Sequence, residues 1–196
     1  AATMNQAMEA VIDSRMHRTR ERPIPTGRIS RRAAWIFGIT GGALGCAWLL
    51  IFLNPLCAWL AVVMIFSYCF VYTPLKGITP LNTIVGAFPG ALPLLVGYAA
   101  AGNGLDLRAG ILFLILFLWQ LPHFFSIAWL YREDYARGGL RMLPNVDATG
   151  AVSGRQAVHW ALILLPASLL PTLAGFAGKV YFIGAFSASL VFLAVV

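Results

Sequence analysis

Long stretches without a charged side chain recur along the chain, and they limit the folds that it can adopt. A helix needs about 20 apolar residues to cross a bilayer. Five stretches reach that length and a sixth begins near the end of the chain: 33–53, 55–75, 77–105, 109–131, 156–178 and 180–196. Lipid offers the backbone no hydrogen bonds, so each stretch is expected to be helical. The alternating pattern of an outer-membrane barrel is not seen. The sequence therefore predicts an all-α, polytopic membrane helix bundle.

The composition agrees with a membrane protein. Hydrophobic residues make up 60% of the chain and charged residues 11%, whereas soluble domains have roughly 25% charged residues. The cysteines Cys46, Cys57 and Cys69 all lie inside apolar stretches and are interpreted as small buried hydrophobic residues. These features exclude a soluble globular domain, a disordered chain and a disulfide scaffold.

We interpret residues 1–196 as a single transmembrane domain. The chain begins with AATMNQAMEA, which has no methionine at its start and no signal-peptide pattern, and it stops inside an apolar run. We therefore expect the domain to be truncated at both ends, with the end of one further helix preceding the six stretches.

Basic residues are concentrated on one side of the predicted bundle. The connections at 14–32, 76 and 132–155 contain 12 of the 14 lysines and arginines, and the opposite side has only Arg108 and Lys179. The net charge of +7 is thus a topology signal and does not indicate a nucleic-acid partner. The basic side is predicted to be cytoplasmic in a bacterial inner membrane, or to face the matrix in a mitochondrial one. Six of the seven acidic residues lie on this same side, which indicates a polar site there.

Three oxygen-bearing side chains near the start of the chain follow helical spacing. Asn5, Glu9 and Asp13 are each four residues apart, which places them on one helical face. Carboxylates together with substrate phosphates are typical ligands of Mg²⁺. The alternative is a solvated helix end, and the spacing taken alone favours it.

An arginine-rich segment follows the three oxygen ligands directly. Guanidinium groups bind phosphate oxygens in a bidentate manner, and Arg18 and Arg22 are the candidates for a diphosphate group. The alternative is a positively charged loop at an anionic membrane surface, which is our interpretation of Arg28, Arg31 and Arg32.

Two further groups of polar residues lie at or near the ends of apolar stretches. Tyr72 and Lys76 can both donate to a phosphate, although interfacial anchoring explains such a pair as well. His123 lies inside an apolar stretch, where a polar side chain faces either a cavity or a neighbouring helix. Glu133 and Asp134 form a second acidic group, or else part of an exposed loop.

These segments, taken together, resemble the intramembrane prenyltransferases, a superfamily of enzymes that prenylate quinones and heme. The similarity lies in NQAMEAVIDSRMHRTRERPIPTG, YTPLKGITPLNTIVGAFPGALPLLVGY and WQLPHFFSIAWLYREDYARGGLRMLP, and within the superfamily the heme-farnesylating branch is most similar. The resemblance implies nine spans in the full protein. It also implies transfer of the farnesyl group of farnesyl diphosphate to a vinyl group of heme b, which gives heme O and diphosphate with Mg²⁺ as cofactor.

The resemblance also assigns roles to the candidate residues. It implies that Glu9, Asp13, Lys76 and Asp134 act in catalysis. It implies that the metal is held by Asn5, Glu9, Asp13, Glu133 and Asp134. The substrate-binding residues it implies are Arg18, Arg22, Tyr72 and Lys76. His123 is our own hypothesis for a substrate-binding residue next to heme. Relatives often carry Asp at the position of Glu9, and quinone-type relatives have more Asp in the second acidic motif.

Three other functions compete with heme farnesylation. The first is prenylation of an aromatic or quinone precursor, and the second is transport of an anionic or lipid-like solute, for which we see no internal repeat. The third is a non-catalytic protein that hands heme to an oxidase. The lipid bilayer is an expected partner in every case, and heme A synthase or a terminal oxidase is a candidate protein partner.

Overall fold

The structure is a computed structural model that describes residues 1–102, 104–147 and 149–196. All regular secondary structure within these ranges is helical, which confirms the predicted fold class. The helices are α1 (Ala2–Met8), α2 (Ala10–Arg15), α3 (Arg31–Phe52), α4 (Pro55–Leu75), α5 (Asn82–Ala100), α6 (Leu107–Leu130), α7 (Arg132–Arg137), α8 (Leu143–Val146), α9 (Ala151–Leu173) and α10 (Lys179–Val195).

Five of these helices, α3, α4, α5, α6 and α9, are long and apolar enough to cross a membrane. The apolar helix α10 has 17 residues and corresponds to the sixth stretch, 180–196. Helix α9 begins at Ala151 and therefore includes Arg155, which the charge pattern had placed in a connection. The chain is thus a multi-pass membrane protein.

The spans pack in a chain of neighbours. Helix α6 contacts both α5 and α9, α9 contacts α10, and α4 lies between α3 and α5. Helix α3 is the least buried of the five spans, with 6% of its most apolar segment buried inside the protein. Large apolar side chains such as Phe37, Trp48 and Ile51 are exposed along it, as expected for a surface that faces lipid.

Helices α1 and α2 form one bent rod. The backbone departs from helical geometry at Glu9, with φ −92° and ψ 11°. The amide of Glu9 still donates to the carbonyl of Asn5 at 2.8 Å, and that of Asp13 to the carbonyl of Glu9 at 2.7 Å. These i to i−4 bonds keep Asn5, Glu9 and Asp13 on one face, as their spacing predicts.

The end of α4 is widened into a π-helix over Ser67–Tyr72. The next turn contains Pro74, which has no amide hydrogen and whose ring conflicts with the carbonyl four residues earlier. The wider turn accommodates this ring without ending the helix, and the Thr73 hydroxyl donates to the carbonyl of Tyr68 at 2.9 Å. The π-helical turn thus lets α4 continue past Pro74 to its end, directly before Lys76.

Helices α5 and α6 approach closely at a glycine. A Cβ atom on Gly90 would overlap the side-chain amide of Gln120. Gln120 is buried, and its Nε2 atom donates to the carbonyls of Leu116 at 3.0 Å and Ala87 at 3.3 Å. This intramembrane polar side chain is therefore satisfied by helix packing.

Candidate active site

A polar cavity of about 200 Å³ lies where α1, α2, the end of α4 and the segment after α6 meet. Its polar lining consists of Asn5, Glu9, Asp13, Arg18, Thr19, Arg22, Tyr68, Tyr72, Lys76 and Tyr135, and its apolar lining of Met16, Leu140 and Met142. The structure thus brings together seven residues that the sequence singled out, drawn from two separate segments, 5–22 and 72–76.

Glu9 is the most constrained acid of the cavity. Its Oε2 atom accepts a hydrogen bond from Asn5 at 2.8 Å and lies 3.0 Å from Lys76 Nζ. Asn5 also donates to the Thr73 hydroxyl at 3.0 Å. The second oxygen, Oε1, is buried and has no hydrogen-bond partner among the described residues. Buried carboxylate oxygens are nearly always satisfied, so this atom is a candidate ligand for a cation.

Asp13 is paired with an arginine. The carboxylate is 1% exposed, and Arg22 Nη1 lies 3.1 and 2.9 Å from its two oxygens. The Thr19 hydroxyl donates to the Asp13 carbonyl at 2.9 Å and so folds the loop back onto α2. Glu9 and Asp13 therefore each carry one basic partner, as buried charges require.

Aromatic rings lie against two of the bases that line the cavity. Lys76 Nζ lies 4.8 Å from the centre of the Tyr72 ring, and the Arg18 guanidinium lies 4.6 Å from that of Tyr131. The Tyr72 ring packs against Gly86, where a Cβ atom would come within 2.5 Å of it. Burial raises the pKa of Tyr135, which keeps this phenol a neutral donor.

The charges of the lining leave one base in excess. Arg18, Arg22 and Lys76 face Glu9 and Asp13. Such a site accepts an anionic group through guanidinium, ammonium and phenol donors, and its carboxylates can share a divalent cation with that anion.

The second acidic pair does not line this cavity. Asp134 accepts hydrogen bonds from the backbone amides of His17 and Arg18, both at 3.0 Å, and these bonds hold its pKa below the usual range. The Glu133 side chain is 75% exposed and lies 3.7 Å from Arg137. In the described part of the chain, no three His, Cys, Asp or Glu side chains gather as a metal site. The metal roles of Glu133 and Asp134 stay predictions.

His123 also lies apart from the cavity. It is exposed on α6, and its ring stacks on Trp119 with 5.3 Å between ring centres and 13° between planes. Its side chain thus occupies a face of the bundle that neighbouring described helices leave open. Its assignment to heme stays a prediction.

Sequence reasoning assigned no role to four polar residues at the site: Thr19, Tyr68, Thr73 and Tyr135. Tyr68 lies four residues before Tyr72, and helical spacing could have found it. Thr73 and Tyr135 have no comparable signal, because their positions depend on the π-helical turn and on the packing of α7.

The fold and the cavity define a multi-pass membrane protein whose helical bundle contains a buried site of paired acids and bases. The comparison with protein families agrees with this description. The model of the UbiA prenyltransferase family matches residues 1–196, and the chain belongs to this family. Its relatives include the protoheme IX farnesyltransferase of Solibacter usitatus, which is 46% identical over 98% of this chain. That of Koribacter versatilis is 45% identical over 94% of this chain. The chain spans 66% and 59% of the length of these two relatives.

Solved structures show the same fold. A UbiA homolog from Aeropyrum pernix K1 superposes with a TM-score of 0.80 at 19% identity, covering 99% of this chain and 72% of that one. A UbiA homolog from Archaeoglobus fulgidus, bound to DMAPP and Mg²⁺, gives a TM-score of 0.78 at 17% identity, covering 98% and 69%. The likeness at these identities concerns the fold.

Proposed function

We propose that the protein transfers the farnesyl group of farnesyl diphosphate to a vinyl group of heme b, giving heme O and diphosphate. One observation carries the proposal: Glu9 and Asp13 are buried in a single cavity with Lys76 and Arg22 as their partners, and Arg18 is a third base. The names of the relatives, protoheme IX farnesyltransferases, support the choice of donor and acceptor.

The bases would stabilise the leaving group. The C–O bond of an allylic diphosphate breaks with its electron pair going to diphosphate, so charge develops on the phosphate oxygens. Lys76 and Arg22 would exchange their carboxylate partners for these oxygens, and Arg18 would add a third cation. Charge stabilisation of this kind is commonly the largest catalytic contribution. Tyr72 would donate a further hydrogen bond from beside Lys76.

The cavity fits a divalent cation on one side. Asn5, Glu9 and Asp13 would hold Mg²⁺, since the buried Glu9 Oε1 atom has no hydrogen-bond partner in the described part of the chain and oxygen ligands suit this ion. When bound, the ion supplies further neutralisation of the diphosphate charge. The Mg²⁺ bound to the Archaeoglobus homolog supports this assignment. Glu133 and Asp134 remain candidates from the motif alone.

The cavity size indicates which part of the substrate it takes. Its volume of about 200 Å³ is below the roughly 300–1,000 Å³ of pockets that enclose whole ligands. It therefore suits the diphosphate head, with Met16, Leu140 and Met142 at the reacting carbon. The farnesyl chain and heme would lie against apolar helix surfaces, where His123 is placed to meet heme. These surfaces would keep water from the allylic cation until the vinyl carbon adds; water then supplies the hydroxyl group.

The site would open to the cytoplasm in a bacterial inner membrane, because the cavity lies on the side with most basic residues. In a mitochondrial inner membrane it would face the matrix. Heme A synthase or a terminal oxidase would be the partner that receives the product.

The test uses the whole protein in nanodiscs with heme b, farnesyl diphosphate and Mg²⁺. Mass spectrometry should detect a farnesylated heme that disappears with EDTA. Heme bound without product would favour a heme-handling protein. If neither product nor bound heme is found, prenylation of aromatic acceptors replaces the proposal.

A further inference from the structure

The carboxylate of Asp134 joins α7 to the loop that carries Arg18. We propose that Asp134 is a positioning residue that fixes this loop so that Arg18 reaches the diphosphate. The inference rests on the proposed function, because it concerns how the same cavity recognises its anionic substrate.

Both oxygens of Asp134 are used within the protein. Oδ1 accepts from the amide of His17 and Oδ2 from the amide of Arg18, each at 3.0 Å. Arg137 Nη1 donates to Oδ1 at 2.9 Å. The side chain is 12% exposed. A carboxylate that accepts two successive amides holds the backbone in one orientation, since charge-assisted hydrogen bonds are strong and directional.

Packing on the same side supports this role. Gly138 lies against Ile12 and Met16, where a Cβ atom would come within 3.1 Å of both side chains. Met16 is buried in a cluster with Ala128 and Leu140. The loop is thus held by apolar contacts just before His17 and by the carboxylate at His17 and Arg18.

The orientation of the loop determines where the Arg18 guanidinium lies. Arg18 lines the cavity and stacks over Tyr131, the residue that precedes α7. Tyr131 and Asp134 therefore hold the side chain and the backbone of the same arginine.

The test is a double-mutant cycle on binding of farnesyl diphosphate without heme, at several Mg²⁺ concentrations. Asp134→Asn cannot accept hydrogen bonds from both amides. It should therefore raise the Kd about tenfold, which corresponds to a loss of about 1.4 kcal/mol of binding free energy. In an Arg18→Ala background, Asp134→Asn should cause little further change. The Mg²⁺ concentration for half-maximal binding should stay constant. A rise in that concentration, or full additivity with Arg18→Ala, overturns the proposal.

Asp147 offers a matched control. Its Oδ2 atom also accepts from two successive amides, those of Val152 and Ser153 at 2.7 and 3.3 Å, but it lies outside the cavity. Asp147→Asn should lower thermal stability and leave the Kd within about twofold, a change below 0.5 kcal/mol. An equal rise in Kd for both variants would show a general loss of structure and would overturn the proposal.

Hydrogen exchange separates this inference from the proposed function. The amides of His17 and Arg18 should exchange faster in Asp134→Asn, and unchanged exchange overturns the proposal. If the wild type binds no prenyl diphosphate, the proposed function fails. The hydrogen-exchange measurement still decides whether Asp134 holds the loop. If Asp134→Asn does not accumulate in membranes, Asp134→Glu keeps the charge beside Arg137 and moves the carboxylate away from the two amides. The same faster exchange is then expected, and unchanged exchange contradicts the proposal.

Discussion

Replacement of Lys76 by methionine is the sharpest test of the charge pairing in the cavity. Lys76 and Glu9 have side chains that are 13% and 8% exposed, and their charged atoms are 3.0 Å apart. At an effective dielectric constant of about 20, unit charges at this distance attract by roughly 5–6 kcal/mol. Methionine has a similar length and removes only the charge, so the carboxylate of Glu9 stays buried without its partner.

We expect Lys76→Met to lower the free energy of unfolding by about 3–5 kcal/mol, the usual loss when one member of a buried pair is removed. The double variant Glu9→Gln with Lys76→Met should recover most of this loss, because no uncompensated charge remains. The proposed farnesyl transfer should be lost in both variants. Equilibrium unfolding in mixed micelles measures the first effect and the product assay the second.

The exposed pair of Glu133 and Arg137, 3.7 Å apart, supplies the stability control. Glu133→Gln should change the free energy of unfolding by less than about 1 kcal/mol, as exposed pairs do. The reasoning is refuted if Lys76→Met costs no more than this control, or if the double variant is as unstable as the single one.

Three other predictions follow from individual side chains. Asp13→Ala should abolish turnover and still insert in membranes, which product analysis and membrane fractionation check; retained activity would remove Asp13 from the proposed metal site. His123→Ala should weaken heme binding more than binding of farnesyl diphosphate, which heme titration by absorbance measures; equal weakening would make His123 structural. Hydrogen bonds from the Thr149 hydroxyl and the Val152 amide lower the pKa of Asp147. Its stabilisation should be complete above the unfolded value of about 3.9 and be lost as pH falls through the lower folded pKa. The difference in melting temperature between wild type and Asp147→Asn should therefore vanish in acid, and a difference independent of pH would contradict the assignment.

The acidic motifs show how far the sequence leads to the site. Asn5, Glu9 and Asp13 share a face because four-residue spacing is a local property of a helix, and the backbone bonds of α1 and α2 preserve it. Glu133 and Asp134 have equally suitable chemistry, but their surroundings depend on how α7 packs. The structure turns Asp134 to two amides of the loop and leaves Glu133 exposed.

The sequence by itself determined the membrane spans and the first acidic face. Each of these depends on hydropathy, charge or spacing within one segment, which burial in lipid translates directly into structure. The tertiary structure decided that Lys76 pairs with Glu9 and Arg22 with Asp13, and that Asp134 and His123 lie apart from them. These contacts join segments that are distant in the chain or depend on a local distortion such as the π-helical turn of α4, and helix periodicity carries no information about either.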